Sequence, residues 1–435
     1  MRYTLEGLCA FLQSSVSAFH AVQNIGRILE DAGYAPLRES EKWTLRLGGR
    51  YFVTRNQSSL IAFAVPECGF APVVAVATHS DSPVFRVKPC AELDAQGRYT
   101  LLNTERYGGS ILSTWLDRPL SVAGRVVVRT ERGLESRLVN IDRDLLLIPN
   151  LAIHMNREVN DKGGLNARVD MPPLFGDASA RDGFGAAVAE AASVAPEQIA
   201  GSDLYLYNRM APSVWGAEDC YLSAPRLDDL ECTYTALCAF TGARVGEHMN
   251  LLCVFDNEEV GSGTRQGADS TFLQDVLTRA ARALGADGEH LRACLASSFM
   301  VSADNAHALH PNHPEKSDPV NRPYMNEGVV VKFSANQKYT TDGVSGAVFS
   351  EICRRAKVPV QVFANRSDLP GGSTLGNISS AHVSIPTVDV GLAQLAMHSS
   401  YETAGTRDAQ FMARALTALY ETELRATDDG AFTLD

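Results

Sequence analysis

Nowhere in its 435 residues does this chain carry a Cys-x-x-Cys pair, a Lys/Arg-rich run or an uninterrupted apolar stretch of the ~18 residues that cross a bilayer. Each absence removes a class. The nine cysteines are dispersed, mostly inside apolar runs such as Leu252-Cys253-Val254, which reads as buried free thiols in a reducing, cytoplasmic compartment. A net charge of -12, with no basic stripe interleaved with aromatics, excludes nucleic acid from the expected partners, and no membrane is expected either. Near the start, Glu6 interrupts what would be the apolar core of a signal peptide, so residues 1–12 read as a helix. Gly-x-Ser-x-Gly is missing, which argues against a serine hydrolase. Gly261-Ser-Gly263-Thr-Arg-Gln-Gly267 has the wrong spacing for a dinucleotide fingerprint, and Glu258-Glu259 beside it would repel a pyrophosphate. There is no internal repeat or low-complexity segment.

What is present is a repeated grammar: apolar runs that end in ligand-type residues. Leu251-Leu-Cys-Val-Phe255 leads into Asp-Asn-Glu258-Glu259, and Ala71 to Thr78 runs into His79-Ser-Asp81-Ser-Pro83. Leu295 to Ser302 leads to Asp304 and His307, and Ile385 to Gly391 leads through six residues to His398. Arg226-Leu-Asp228-Asp229 precedes a helix-like stretch, Leu230 to Phe240. Open α/β sheets bind ligands outside the carboxyl ends of their strands, so these segments can meet in one crevice. Adjacent carboxylates at a buried strand end repel each other and lose solvation, so a cation is the simplest compensation.

The ligand inventory exceeds the three side chains of a single catalytic zinc and suits two ions bridged by a carboxylate. A lone buried His or Asp is usually a satisfied core or capping group; the combination carries the argument. In an extended His-x-Asp both side chains lie on one side, so Asp81 can accept the free ring N–H of His79. Glu258 and Glu259 point to opposite sides if extended, so one can hold metal while the other faces the attacking water.

Taken together, Thr78-His-Ser-Asp-Ser-Pro83, Tyr107-Gly-Gly109, Leu151-Ala-Ile-His154, Pro225-Arg-Leu-Asp228, Asp256-Asn-Glu-Glu-Val-Gly-Ser262, Ser302-Ala-Asp-Asn-Ala-His307, His310-Pro-Asn312, Ala335-Asn-Gln337 and Leu395-Ala-Met-His-Ser399 resemble the aspartyl aminopeptidases, dizinc metallopeptidases, over essentially the whole chain. The resemblance implies two divalent ions, zinc first with cobalt or manganese as alternatives. In it Asp228 bridges, His79 and Asp304 complete one site, and Glu259 and His398 the other. Glu258 is the implied general base and Asp81 the orienter of His79. Lys332 and His307 are the implied partners of an acidic substrate side chain, with Tyr339 and Gly372 completing the substrate pocket. His154 is implied to reach a neighbouring subunit's site, which makes the active form an oligomer of dimers, commonly a dodecamer. A cis peptide after Asp228 is expected, as in related dizinc peptidases. The chain departs from the family at Asp229, where Asn is common, at Asn365 to Thr374, and at Ser400-Tyr401.

The expected fold is α/β, a mixed central sheet flanked by helices, with an inserted β-rich domain. Because His79 must meet Asp228 while the residues between them offer no ligand-like segment, the catalytic domain takes 1–87 and 222–435, and 88–221 form a dimerisation or lid domain. Short strand-like runs over Arg98–Asn103, Leu120–Arg129, Leu134–Ile141 and Asp144–Ile148 support it. Helical patterns cover Phe19–Ala32, Gly183–Ser193, Leu273–Leu284 and Ala409–Leu424. The expected activity is removal of N-terminal Asp or Glu from peptides, with Glu258 moving the proton from water to the leaving amine. Two alternatives stay open: a cocatalytic metallohydrolase of other specificity, such as a broad aminopeptidase or a deacylase, and a non-catalytic assembly protein.

Overall fold

The computed structural model describes residues 1–161, 163–369 and 371–435; Pro370, within the Asn365 to Thr374 segment noted above, lies outside them. Among the described residues a nine-stranded mixed sheet forms the centre, in the order Ala35–Leu37, Arg50–Arg55, Ser59–Ala64, Met249–Phe255, Val73–His79, Phe299–Ala303, Thr387–Gly391, Val329–Phe333 and Val360–Ala364. The inner strands are buried throughout and mostly apolar because both faces are covered. Val74 and Val76 enter one core, with Leu227–Gly242 and Asp408–Glu421 as its helical wall. Val73, Ala75 and Ala77 enter the opposite core, packed against Phe272–Ala283.

This order positions the site. Val73–His79 runs parallel to both Met249–Phe255 and Phe299–Ala303, with His79 beside Phe255 and Ala77 beside Ser302. All three therefore open at the same sheet edge. Leu227–Gly242 begins at that edge too, since the main-chain N–H of His79 donates to Asp229 Oδ2 at 3.1 Å.

A second sheet contains Val84–Ala95, Tyr99–Tyr107, Leu120–Thr130, Gly133–Asn140, Leu174–Asp177 and Ile199–Asn208. It has its own core of Phe85, Trp115, Val122, Phe184 and neighbours. Its first strand starts at Val84, four residues before the expected boundary at 88. At the other end, Ser213–Trp215 and Tyr221–Ala224 join a third sheet with Glu402–Gly405, Ala393–Leu395 and Ala306–His307.

Several local expectations need correction. Asp144–Ile148 is not a strand; Leu146 and Leu147 make only isolated bridges, to Leu120 and Leu174. Leu295 belongs to the helix Gly288–Ala296, and the strand begins at Phe299. The last helix stops at Glu421 because the chain turns into a hairpin, Leu424–Asp428 with Ala431–Leu434. No helix among the described residues is long and apolar enough to cross a membrane.

Candidate metal centre

Asp228 lies at the centre of the crevice, with its side chain almost wholly buried. Its Oδ1 is 3.5 Å from His79 Nε2 and its Oδ2 is 3.4 Å from His398 Nε2. His398 Nε2 is also 3.4 Å from Glu259 Oε2. The ligand atoms of His79, Asp228 and Asp304 all lie within 4.8 Å of one another, and so do those of Asp228, Glu259 and His398. A third such group, His79 with Glu258 and Glu259, overlaps both.

Local sequence explains the placement. Asn257 takes a left-handed φ of 63°, which turns the chain sharply after Phe255 and brings Glu258 and Glu259 over the strand end. His398 also has positive φ, and the Asp228–Asp229 peptide is cis, as expected. Glu402, which the sequence reading did not single out, accepts the main-chain N–H of Asp228 at 3.0 Å and of His398 at 2.7 Å. Its signal was available, since this Glu directly precedes the small-residue run Thr403-Ala-Gly405, four residues after a ligand-type His.

One expected contact differs. His79 Nδ1 lies 3.0 Å from the main-chain carbonyl of Asp81 and 3.4 Å from its carboxylate. The Asp81 carboxylate instead accepts the Tyr107 hydroxyl at 2.7 Å and the main-chain N–H groups of Glu258 and Glu259 at 3.1 and 3.2 Å. Either way the ring nitrogen facing away from Asp228 has an oxygen partner, and the facing Nε2 is left to bind a cation.

The electrostatics call for positive charge. Burial pushes Glu258 up to about 8 and Glu259 well above the usual carboxylate range. Burial also raises Asp304, against the pull of Lys332, and takes Glu402 to about 8. For Asp228 burial opposes ionisation, but the facing imidazoles of His398 and His79 outweigh it and hold the group low. Burial drives Asp229 well up as well. Asp228 Oδ1 and Glu259 Oε1 are buried without any hydrogen-bond partner among the described residues. Orphaned oxygens beside two imidazoles fit zinc, which takes nitrogen and carboxylate oxygen ligands.

A cleft of about 250 Å³ opens over these residues, and His307, Lys332, Tyr339 and Gly372 line it. Lys332 is buried; its ammonium donates to the carbonyls of Asp304 and Asn305 at 2.9 and 3.3 Å and sits 5.2 Å from the Tyr339 ring centre. A Cβ on Gly372 would meet none of the described residues within 4 Å, so space alone does not demand glycine there. His154 is exposed on a loop of the segment before Leu174 and does not line the cleft of its own chain.

Fold, buried carboxylates and paired imidazoles define a metal-dependent hydrolase. Residues 11–420 match the model of the aminopeptidase I zinc metalloprotease family, M18. The chain belongs to that family and is a metallo-aminopeptidase that uses a divalent metal, zinc in the family description. It is 46% identical over 422 residues to a probable M18 family aminopeptidase 2 of Clostridium acetobutylicum, covering 95% of this chain and 97% of that one. Among solved structures, the Ape4 and Nbr1 complex aligns with TM-score 0.93 at 34% identity, over 96% of this chain and 85% of that chain. The mApe1 dodecamer of S. cerevisiae aligns with TM-score 0.83 at 26% identity, over 95% of each chain.

Proposed function

We propose that this aminopeptidase works with a dinuclear zinc site and prefers N-terminal Asp or Glu. The observation that carries the dinuclear reading is the Asp228 carboxylate, whose two oxygens face two different imidazoles in two ligand clusters that share it. His79 and Asp304 would hold one ion with Asp228, and Glu259 and His398 the other. Two zinc ions, when bound, lower the pKa of a water and polarise the scissile carbonyl. Glu258, left out of both clusters, takes the proton of the attacking water and delivers it to the amine nitrogen as the C–N bond breaks. Asp81 holds the two glutamates by their main-chain N–H groups.

The acidic preference is supported by Lys332 in the cleft, with His307 beside it. A second reading, a cocatalytic hydrolase of other specificity, has one observation in its favour: the Lys332 ammonium already faces two carbonyls and the Asp304 carboxylate, at 3.8 Å. Metal analysis together with kcat/KM on Asp-, Glu- and Leu-anilides and on N-acyl amino acids separates the two. One ion per chain removes the dinuclear reading, and equal rates on Asp and Leu remove the acidic preference.

Self-association accompanies this reading. Leu151, Ile153 and Met155 around His154 are 55%, 49% and 75% exposed, a costly display of apolar surface unless another subunit covers it. A dodecamer in a relative of the same fold supports the idea that residues 88–221 act as an inserted dimerisation or lid domain. His154 would then reach a neighbouring site. The dispersed free cysteines support a cytoplasmic location.

A further inference from the structure

The Asp81 carboxylate organises the glutamate turn, and what fixes that carboxylate comes from the second sheet. Tyr107 ends the strand Tyr99–Tyr107 and pairs with Val84, where the chain leaves the His79 segment. Its ring packs edge-on against Tyr205, with centroids 5.8 Å apart. Its hydroxyl donates to Asp81 Oδ2 at 2.7 Å and accepts from Asn257 Nδ2 at 2.8 Å. Asn257 is oriented in turn, because its Oδ1 accepts from Thr264 Oγ1 and Gln266 Nε2, both at 2.8 Å. The chain of donors thus has one direction and ends on Asp81.

The next residues of the same strap reach the other side of the site. His398 Nδ1 lies 3.3 Å from the carbonyl of Gly109, and the Ile111 N–H donates to the His398 carbonyl at 3.0 Å. Side chains would be tight here: a Cβ on Gly108, which also has a φ of +73°, would lie 3.2 Å from the Glu259 Cβ, and one on Gly109 3.2 Å from His398 Nδ1. Tyr107 itself does not line the substrate cleft. With Asp81 it borders a separate cavity of about 30 Å³ beside Phe19, Tyr205 and Arg226, room for a water and not for a substrate.

We propose that Tyr107 is a positioning residue for the hydrolytic step: its hydroxyl locks the Asp81 carboxylate, and through it the main chain of Glu258 and Glu259. The inference rests on Glu258 as the base and Glu259 as a metal ligand. It makes seating of the second sheet a condition for a working base. Outer partners of this kind typically change activity or metal affinity by about 10–100-fold when removed.

The test is Tyr107→Phe in the full-length, metal-loaded enzyme, with Tyr205→Phe as the control for loss of a neighbouring hydroxyl. At saturating metal, Tyr107→Phe should lower kcat by about 10–100-fold with KM unchanged, and Tyr205→Phe should leave kcat within about twofold. Titration of the metal-free protein with Co2+, followed by visible absorption, should show about tenfold weaker binding for Tyr107→Phe and none of that loss for Tyr205→Phe. Should Tyr107→Phe fail to fold, Asn257→Asp keeps a residue tolerant of the left-handed turn while turning the donor to Tyr107 into an acceptor; the same kcat loss is expected. Wild-type kcat and cobalt affinity in the Tyr107 variant, or equal losses in both tyrosine variants, overturn the proposal. If Glu258→Gln retains turnover, the underlying reading has failed; if Glu258→Gln is inactive while Tyr107→Phe is normal, only this inference falls.

Discussion

The ammonium of Lys332 donates to the main-chain carbonyl of Asp304 at 2.9 Å while lying 3.8 Å from its carboxylate. One buried cation thus touches both the floor of the substrate cleft and a candidate metal ligand. Lys332→Met should lower kcat/KM for Asp substrates by about 100-fold or more, because an acidic side chain would be buried unpaired. The loss on Leu substrates should be much smaller. Equal losses in the two assays assign Lys332 to holding Asp304 instead.

Removing the base without removing a ligand isolates its role. Glu258→Gln should retain wild-type metal content and lose turnover by about 10²–10⁴-fold. Metal analysis and single-turnover rates check this together; loss of metal with recovery in excess ion would mean that Glu258 and Glu259 exchange roles.

Chelation should abolish activity and a divalent ion restore it. Burial pushes Glu258 up to about 8 and raises Glu259 and Asp304, so at about pH 7 the metal-free site holds protons that cations must expel. Calorimetric titration with zinc in buffers of different ionisation enthalpy should therefore show net proton release, larger at about pH 6.5 than at about pH 8.5. Zero release at both pH values contradicts the buried-carboxylate account.

His20 supplies a pH dependence outside the site. Burial, with Arg226 and Arg27 nearby, pushes it down to about 4. The unfolded chain takes up a proton below about 6.5 that the folded chain refuses until about 4, so stability is full above that window and falls as pH drops through it, by roughly 3 kcal/mol at most. On metal-free protein, Tm of His20→Gln should depend less on pH between about 6.5 and about 4 than wild type. Parallel curves for the two proteins would count against it.

Shared-site assembly has its own check. His154→Ala should leave oligomer size and metal content intact and reduce turnover, and isolated subunits should be nearly inactive with metal bound. A fully active monomer by light scattering removes the shared site.

Much of the crevice was legible because its residues follow buried strands, and a run such as Val73–His79 announces both the strand and its end. Asp81 was legible as a neighbour of His79 but not in its contacts, since strand alternation places a side chain on a face without saying which acceptor is nearest. The contacts of Glu402 with Asp228 and of Tyr107 with Asp81 were hidden for another reason: each joins segments far apart in sequence. The strand expected at Asp144–Ile148 failed on a similar ground, since the apolar run Leu145 to Ile148 packs against the core of the second sheet with isolated bridges and not in a ladder.

The central strand Val73–His79 finds both its neighbours downstream, in Met249–Phe255 and Phe299–Ala303. A growing chain on the ribosome therefore carries this wholly buried, mostly apolar segment unpaired while the second sheet, with its own core, is already complete. The chain of the second sheet thus imposes a delay during synthesis in which a wholly buried strand waits for its partners, and fragments truncated before residue 249 should need a chaperone or precipitate.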